Sequence, residues 1–408
     1  MHDIDLVIIG SGPAGISTAL HLLQVDPGWA DRMVLIEKAA HPRHKLCGGG
    51  ITRLGLEYLK SLGFELPLPI PQATVEDARI VYGQRTVHVR GRPQFVVFHR
   101  AEFDAYLARQ ARQRGAVIHE NETVTSLTVT DAGITVQTDQ GSYRARAVVG
   151  ADGAKGFVRH TMSDRKSPSR VARLLEVLQP ARENDLQFSQ RYALFDFTPV
   201  QHALQGYFWD FPSRVGGQAR FNRGVYDARI APDRSRAKLP QTLERSLIAL
   251  DVDPENLPVQ GHPIHWFSPW NTFSAPHRLL VGDAAGADPL FGEGIAPALG
   301  YGKVAASALQ DAFARGDFSF QDYRWRLIRS SVGRYLTLRW WVAWWSYRLC
   351  SHPLYMNTIW TIGEMLVRLW PKPDRSMMQQ PSRQPAWHWN HRGSKNTDYG
   401  IATDPVDE

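Results

Sequence analysis

The chain has 408 residues, 43% of them hydrophobic, and a formal net charge of +7. That length allows two or three domains, separate or interleaved, around an ordinary core, and the modest charge fits anionic ligands or an anionic membrane surface better than nucleic acid. Two cysteines, Cys47 and Cys350, are too few and too distant for a disulfide framework, a metal pair or an iron–sulfur cluster, so no metal site is expected.

In chain order, the apolar run Leu6-Val7-Ile8-Ile9 leads into Gly10-Ser11-Gly12-Pro13-Ala14-Gly15, and an Ala/Leu-rich helical pattern continues through Leu23. Strand, tight turn and helix are the setting in which Gly-x-Gly-x-x-Gly receives a dinucleotide. Gly10 permits the turn, Gly12 lets backbone approach a pyrophosphate, and Gly15 lets helix and strand pack closely. The phosphates then meet the free N–H groups of a helix N-terminus. A second apolar run, Met33-Val34-Leu35-Ile36, ends in Glu37, an acid placed to accept from both ribose hydroxyls of an adenosine. The acidic start and the break at Gly10 argue against a signal peptide, and a cytoplasmic location is expected.

Next comes Pro42-Arg43-His44-Lys45-Leu46-Cys47-Gly48-Gly49-Gly50. Three glycines let backbone press against a flat ligand, with Arg43, His44 and Lys45 adding positive charge beside it. A helix is expected at 53–62, β-rich segments at 78–82, 86–89 and 95–98, a helix from His99-Arg100 to about 114, and short strands through 149. Asp152-Gly153 follows, and 161–170 reads as a crossover. From 171 to 264 β-like runs alternate with loops, with one helix at 239–250. Within that stretch Tyr207, Trp209 and Phe211 alternate and so share one strand face. Gly282-Asp283 follows, and then Gly292-Glu293-Gly294-Ile295 opens an Ala-rich helix to about 313. Its first N–H groups are suited to a developing negative charge. Residues 321–370 form Trp- and Arg-rich helices broken near 351–353, and the polar stretch from about 379 is expected to be disordered.

The succession Gly10 to Gly15, Asp152-Gly153 and Gly282-Asp283, with Arg100, Phe103, Asp104 and Leu107, resembles the FAD-dependent oxidoreductases of the para-hydroxybenzoate hydroxylase type. Within that superfamily, the Pro42 to Gly50 motif and Tyr207-x-Trp209-x-Phe211-Pro212 resemble the geranylgeranyl reductase family, whose members saturate C=C bonds of polyprenyl chains. The resemblance implies a mixed α/β fold. A discontinuous Rossmann-type FAD-binding domain (1–75, 99–165, 270–315) is interleaved with an antiparallel substrate sheet (76–98, 166–269). A C-terminal helical region (316–375) and a tail (376–408) follow.

The resemblance also implies that FAD is bound by Gly10, Gly12, Ala14, Gly15, Glu37, Lys38, Cys47, Gly48, Gly49, Arg100, Val124, Asp152, Asp283, Gly292, Gly294 and Ile295. Asp283 is expected at the ribityl chain and Arg100 near ribityl or phosphate oxygens. Tyr207, Trp209 and Phe211 would wall a prenyl chain. Cys47, Tyr207 and Trp209 are the catalytic candidates, Cys47 reading equally as a chemical group or as packing against the flavin. Reduced FAD would pass hydride to a polyprenyl double bond, with NADPH or a ferredoxin as electron donor. An aromatic monooxygenase, a halogenase and a membrane-docked quinone electron-transfer flavoprotein are the alternatives. The absence of lysine between Lys60 and Lys155 counts against halogenation. Trp340, Trp341, Trp344 and Trp345, interspersed with Arg334, Arg339 and Arg348, are expected to dock on a membrane surface without spanning it, or else to cap the cavity or a dimer interface.

Overall fold

The computed structural model describes residues 1–162, 171–350 and 352–369. Most of the crossover expected at 161–170, and the tail at 376–408, lie outside the described residues. In chain order the elements are β1 (His2–Ile9), α1 (Pro13–Val25), β2 (Met33–Glu37), β3 (Gly50–Thr52), α2 (Arg53–Ser61), β4 (Gln72–Tyr82), β5 (Arg85–Phe98), α3 (Arg100–Gln113), β6 (Val117–Glu120), β7 (Val124–Thr130), β8 (Gly133–Thr138), β9 (Ser142–Gly150) and α4 (Phe157–Thr161). There follow β10 (Val171–Pro180), α5 (Leu186–Ser189), β11 (Tyr192–Asp196), β12 (Gly206–Val215), β13 (Gln218–Asp227), α6 (Leu239–Ile248), β14 (Gln260–His265), β15 (Ser274–Ala275), β16 (Arg278–Leu280), α7 (Ile295–Arg315), α8 (Tyr323–Arg329), α9 (Ser331–Leu349) and α10 (Pro353–Leu369).

The continuous apolar runs of β1 and β2 become central parallel strands, as their lack of alternation requires. One sheet runs β15-β16-β9-β1-β2-β6, with the β7–β8 meander attached to β9. The strands β16, β9, β1, β2 and β6 are mutually parallel. The helix α1 covers this sheet and lies against α7 so closely that a Cβ at Gly302 would come within 2.4 Å of Ser17 Oγ. Gly300 admits α9 in the same way, since its Cβ would meet Val332 at 2.8 Å. Small residues on α7 thus bring three helices together behind the glycine turn.

The second sheet runs β14-β10-β13-β12-β11-β4-β5-β3, antiparallel except where β11 joins β4. The separate segments expected at 86–89 and 95–98 are one strand. Its register with β4 jumps from Val75↔Phe95 to Asp77↔Arg90. Residues 91–94 bulge out, which is where a strand tolerates Pro93. On β12, Tyr207, Trp209 and Phe211 face one way. Phe208 points the other way, into a small second core with Val177, Leu204, Val225, Leu243 and Leu247. We propose that the first sheet with α1, α3 and α7 is the cofactor layer and the second sheet the substrate layer.

Candidate active site

The three glycines of the turn have different physical duties. A Cβ at Gly10 (φ 102°) would sit 2.4 Å from Ala151 O, and one at Gly15 would sit 2.0 Å from Gly10 O. Both are demanded by the protein's own packing. A Cβ at Gly12 would meet only the tip of Arg43, at 3.3 Å. No side chain caps α1, so the space before its N-terminus is left to a ligand.

Glu37 is buried and accepts hydrogen bonds from Ser11 N (3.0 Å) and Ser11 Oγ (3.1 Å). Arg43 lies between two acids, its Nε 3.3 Å from Glu37 Oε2 and its Nη2 3.5 Å from Asp104 Oδ2. Glu37 Oε1 is the less engaged oxygen, meeting Ala39 N at 3.4 Å. Asp152 receives Val158 N on one oxygen at 2.9 Å, while its buried Oδ1 has no hydrogen-bond partner. Burial pushes the Asp152 carboxyl up. A buried acceptor left open beside the glycine turn is suited to a ligand hydroxyl.

Arg100 is held by Asp104 in a two-pronged, buried pair at 2.9 Å for each contact. Lys45 donates to His262 Nε2. Burial lowers the Lys45 ammonium while Asp283 holds it up. Burial, and then Lys45 itself, pulls His262 down to about 3, so the imidazole is the neutral acceptor of the pair. Lys38, Arg43, Lys45, Arg100 and Lys155 all line the cavity, a cation set matched to a pyrophosphate.

The Cys47–Gly50 loop is fixed by a buried polar chain. Trp209 Nε1 donates to Asn222 Oδ1 at 2.7 Å. Asn222 Nδ2 in turn donates to Cys47 O (3.2 Å) and to Glu176 Oε1 (3.0 Å). Burial pushes Glu176 up to about 7, with the Asn222 hydrogen bond opposing it. Cys47 Sγ accepts from Gly49 N at 3.4 Å. A Cβ on Gly48 would lie 3.4 Å from both Phe211 and Trp209, so this backbone lies directly against the aromatic wall. Tyr207 is buried and its hydroxyl donates to Phe291 O at 2.6 Å.

Loop 288–294 is held from several sides. Asp288 receives Leu290 N (2.8 Å), Phe291 N (3.1 Å) and Arg339 Nη1 (2.7 Å). Tyr347 donates to Leu290 O at 2.6 Å and Tyr226 to Pro289 O at 3.1 Å. Glu293 receives Thr52 Oγ1 at 2.5 Å and the Tyr335 hydroxyl. Arg339 was expected among the membrane-facing arginines. It turns inward instead, because the buried Asp288 carboxylate needs a counter-charge. Arg348 lies 4.6 Å from the Trp344 ring.

All the residues named as cofactor or substrate contacts except Gly15 line one cavity of about 860 Å³. Gly15 faces Gly10 instead. Sequence reading left out His262, Asn222, Arg339 and Tyr335 as site residues, and treated Glu293 only as part of a turn. The one local hint was an arginine recurring among the tryptophans of α9.

A parallel sheet carrying the dinucleotide turn, an acid after its second strand and a shared cavity against an antiparallel sheet define an FAD-dependent oxidoreductase. The chain belongs to the FAD binding domain family, which it matches over residues 3–294. It is 26% identical over 362 residues to digeranylgeranylglycerophospholipid reductase 1 of Methanothermobacter thermautotrophicus, covering 81% of this chain and 83% of that protein. It is 29% identical to the digeranylgeranylglycerophospholipid reductase of Methanoculleus marisnigri, covering 80% and 82%. Its fold matches a geranylgeranyl bacteriochlorophyll reductase-like protein of Thermoplasma acidophilum, with TM-score 0.71, 21% identity and coverage of 90% and 91%. The flavin-dependent halogenase CmlS shares the fold less fully, at TM-score 0.62 with 20% identity over 80% of this chain and 61% of that one. The resemblance drawn from the Cys47 and Trp209 motifs is thus borne out.

Proposed function

We propose that the protein reduces C=C bonds of a polyprenyl chain. The carrying observation is that the cavity with the glycine turn is also lined by Tyr207, Trp209 and Phe211, and by Ala78, Ile80, Val89, Phe95 and Phe195. This apolar wall suits a hydrocarbon chain, and the named relatives are reductases of polyprenyl lipids. When bound, FAD supplies the electron pair. Gly12 and the α1 N-terminus would receive the pyrophosphate, with Arg43 beside them. Glu37 would meet the adenosine ribose, and Asp283 with Lys45 the ribityl hydroxyls. The backbone of Cys47–Gly49 and of Gly292–Ile295 would bracket the ring.

Saturating a double bond adds hydride to one carbon and a proton to the other. The Tyr207 hydroxyl and the Trp209 indole already donate to protein acceptors, so we read them as wall and not as proton donors. Cys47 and Lys45 line the same cavity. NADPH or a ferredoxin is proposed as electron donor, since the sequence carries a single dinucleotide fingerprint. Bleaching of the bound flavin by each donor separates the two.

We further propose peripheral contact with a membrane at its cytoplasmic face. No helix of the described residues is long and apolar enough to cross one. Leu338 (66%), Trp341 (46%) and Trp345 (52%) are exposed on α9, and Ile362, Met365 and Leu366 on α10.

The deciding experiment is anaerobic reoxidation of the reduced holoprotein by a prenylated lipid. The expected product is heavier by a hydrogen pair for each bond. A requirement for oxygen, with oxygen in the product, would establish the monooxygenase alternative instead.

A further inference from the structure

Glu293 stands between Gly292 and Gly294, where the chain turns into α7 and lines the cavity. Both of its oxygens receive hydroxyl donors, Thr52 on one and Tyr335 on the other. The nearby Arg339 is committed to Asp288 at 2.7 Å. Two carboxylates therefore share one guanidinium, and the surplus negative charge falls on Glu293. Burial pushes the Glu293 carboxyl up, while the Arg339 guanidinium and then the Thr52 and Tyr335 hydroxyls pull it back toward the carboxylate.

We propose that Glu293, held by Thr52 and by Tyr335 of α9, is a tuning residue that makes the bound flavin a stronger reductant. A fixed negative charge in a low-dielectric cavity opposes the added negative charge of cofactor reduction. The N-terminus of α7 acts in the opposite sense, and Glu293 offsets it at the same turn. An isolated C=C bond is a poor electron acceptor, so a prenyl reductase gains from a more reducing cofactor. That last step rests on the function proposed above, while the tuning itself does not.

The test is the flavin midpoint potential of the holoprotein, measured by dye-coupled reduction without any prenyl substrate. Glu293→Gln is isosteric and uncharged, and is expected to shift the potential to a more positive value. Glu293→Ala also removes the charge and is expected to shift it the same way. Should Glu293→Gln fail to retain FAD, Glu293→Ala decides. An unchanged or more negative potential in the FAD-loaded variants overturns the proposal. If the potential rises but no prenyl substrate is ever reduced, the tuning stands and the reductase reading falls.

Discussion

At the residue scale, Gly12 and Gly15 look alike in the motif and differ in the structure. A side chain at Gly15 would drive into the Gly10 carbonyl, whereas one at Gly12 meets only the flexible end of Arg43. Gly12→Val is therefore expected to fold and to purify without flavin, and Gly15→Ala to lose both fold and flavin. Thermal melts followed by circular dichroism, with flavin absorbance, separate the two outcomes, and equal flavin content in Gly12→Val and wild type would refute the assignment.

Glu176 makes a second residue-scale prediction. Its folded value of about 7 lies above the ordinary 4.5. The folded chain thus binds a proton that the unfolded chain has released over that window. Its contribution to stability is complete below about pH 4.5, falls as pH rises to about 7, and is flat above. The loss is on the order of 3 kcal/mol. Glu176→Gln mimics the protonated carboxyl. It is expected to equal wild type near pH 4.5 and to be more stable at pH 8, as read from urea midpoints at both pH values. A variant that is less stable at pH 8 would show that the carboxylate itself is wanted there.

At the element scale, β12 is more than an apolar wall. Trp209 lies between the cavity and the Asn222–Cys47 hydrogen-bond chain. Trp209→Phe keeps an aromatic surface but leaves the Asn222 oxygen without its donor, a buried deficit of about 1–3 kcal/mol. The variant is expected to perturb the flavin spectrum as well as substrate affinity, because Asn222 also holds the Cys47 carbonyl. Phe195→Ala, on the neighbouring strand, is expected to weaken substrate binding with an unaltered flavin spectrum. Titration of both variants with a prenylated ligand, read alongside the visible spectrum, tests the distinction.

The helix α9 also has two faces. Tyr335, Arg339 and Tyr347 point to loop 288–294, and Trp341 with Trp345 point outward. In flotation with anionic liposomes, Trp341→Ser with Trp345→Ser is expected to stay at the bottom of the gradient with its flavin retained, while the parent rises. A parent that never floats at low or moderate salt would end the docking idea.

At the scale of the whole molecule, the cavity lies between two sheets whose strands come from distant parts of the chain. Cofactor binding is therefore expected to stabilise the assembly of the two layers. With free FAD at a hundredfold its dissociation constant the gain is about 2.7 kcal/mol. Melting the deflavinated protein with and without added FAD measures it, and an unchanged midpoint would mean that the layers hold together independently of the cofactor.

What could be read from the sequence was whatever is written in short range. Gly10 to Gly15 specifies strand, turn and helix within six residues, because backbone sterics act between neighbours. Tyr207, Trp209 and Phe211 announce a shared face because strand geometry alternates. The gap between the β-segments expected at 86–89 and 95–98 is a bulge within one strand, and only the register of its pairing with β4 shows this.

The rest was decided by tertiary structure. Arg339 reads as one more cation in a Trp-rich helix until Asp288, 51 residues away in sequence, turns it inward. His262 and Asn222 carry no motif. They become site residues only because β14 and β13 place them beside Lys45 and Cys47, 217 and 175 residues apart in sequence. Periodicity shows which face of an element is apolar. Which buried charge meets which partner depends on the desolvation cost that only the assembled cavity imposes.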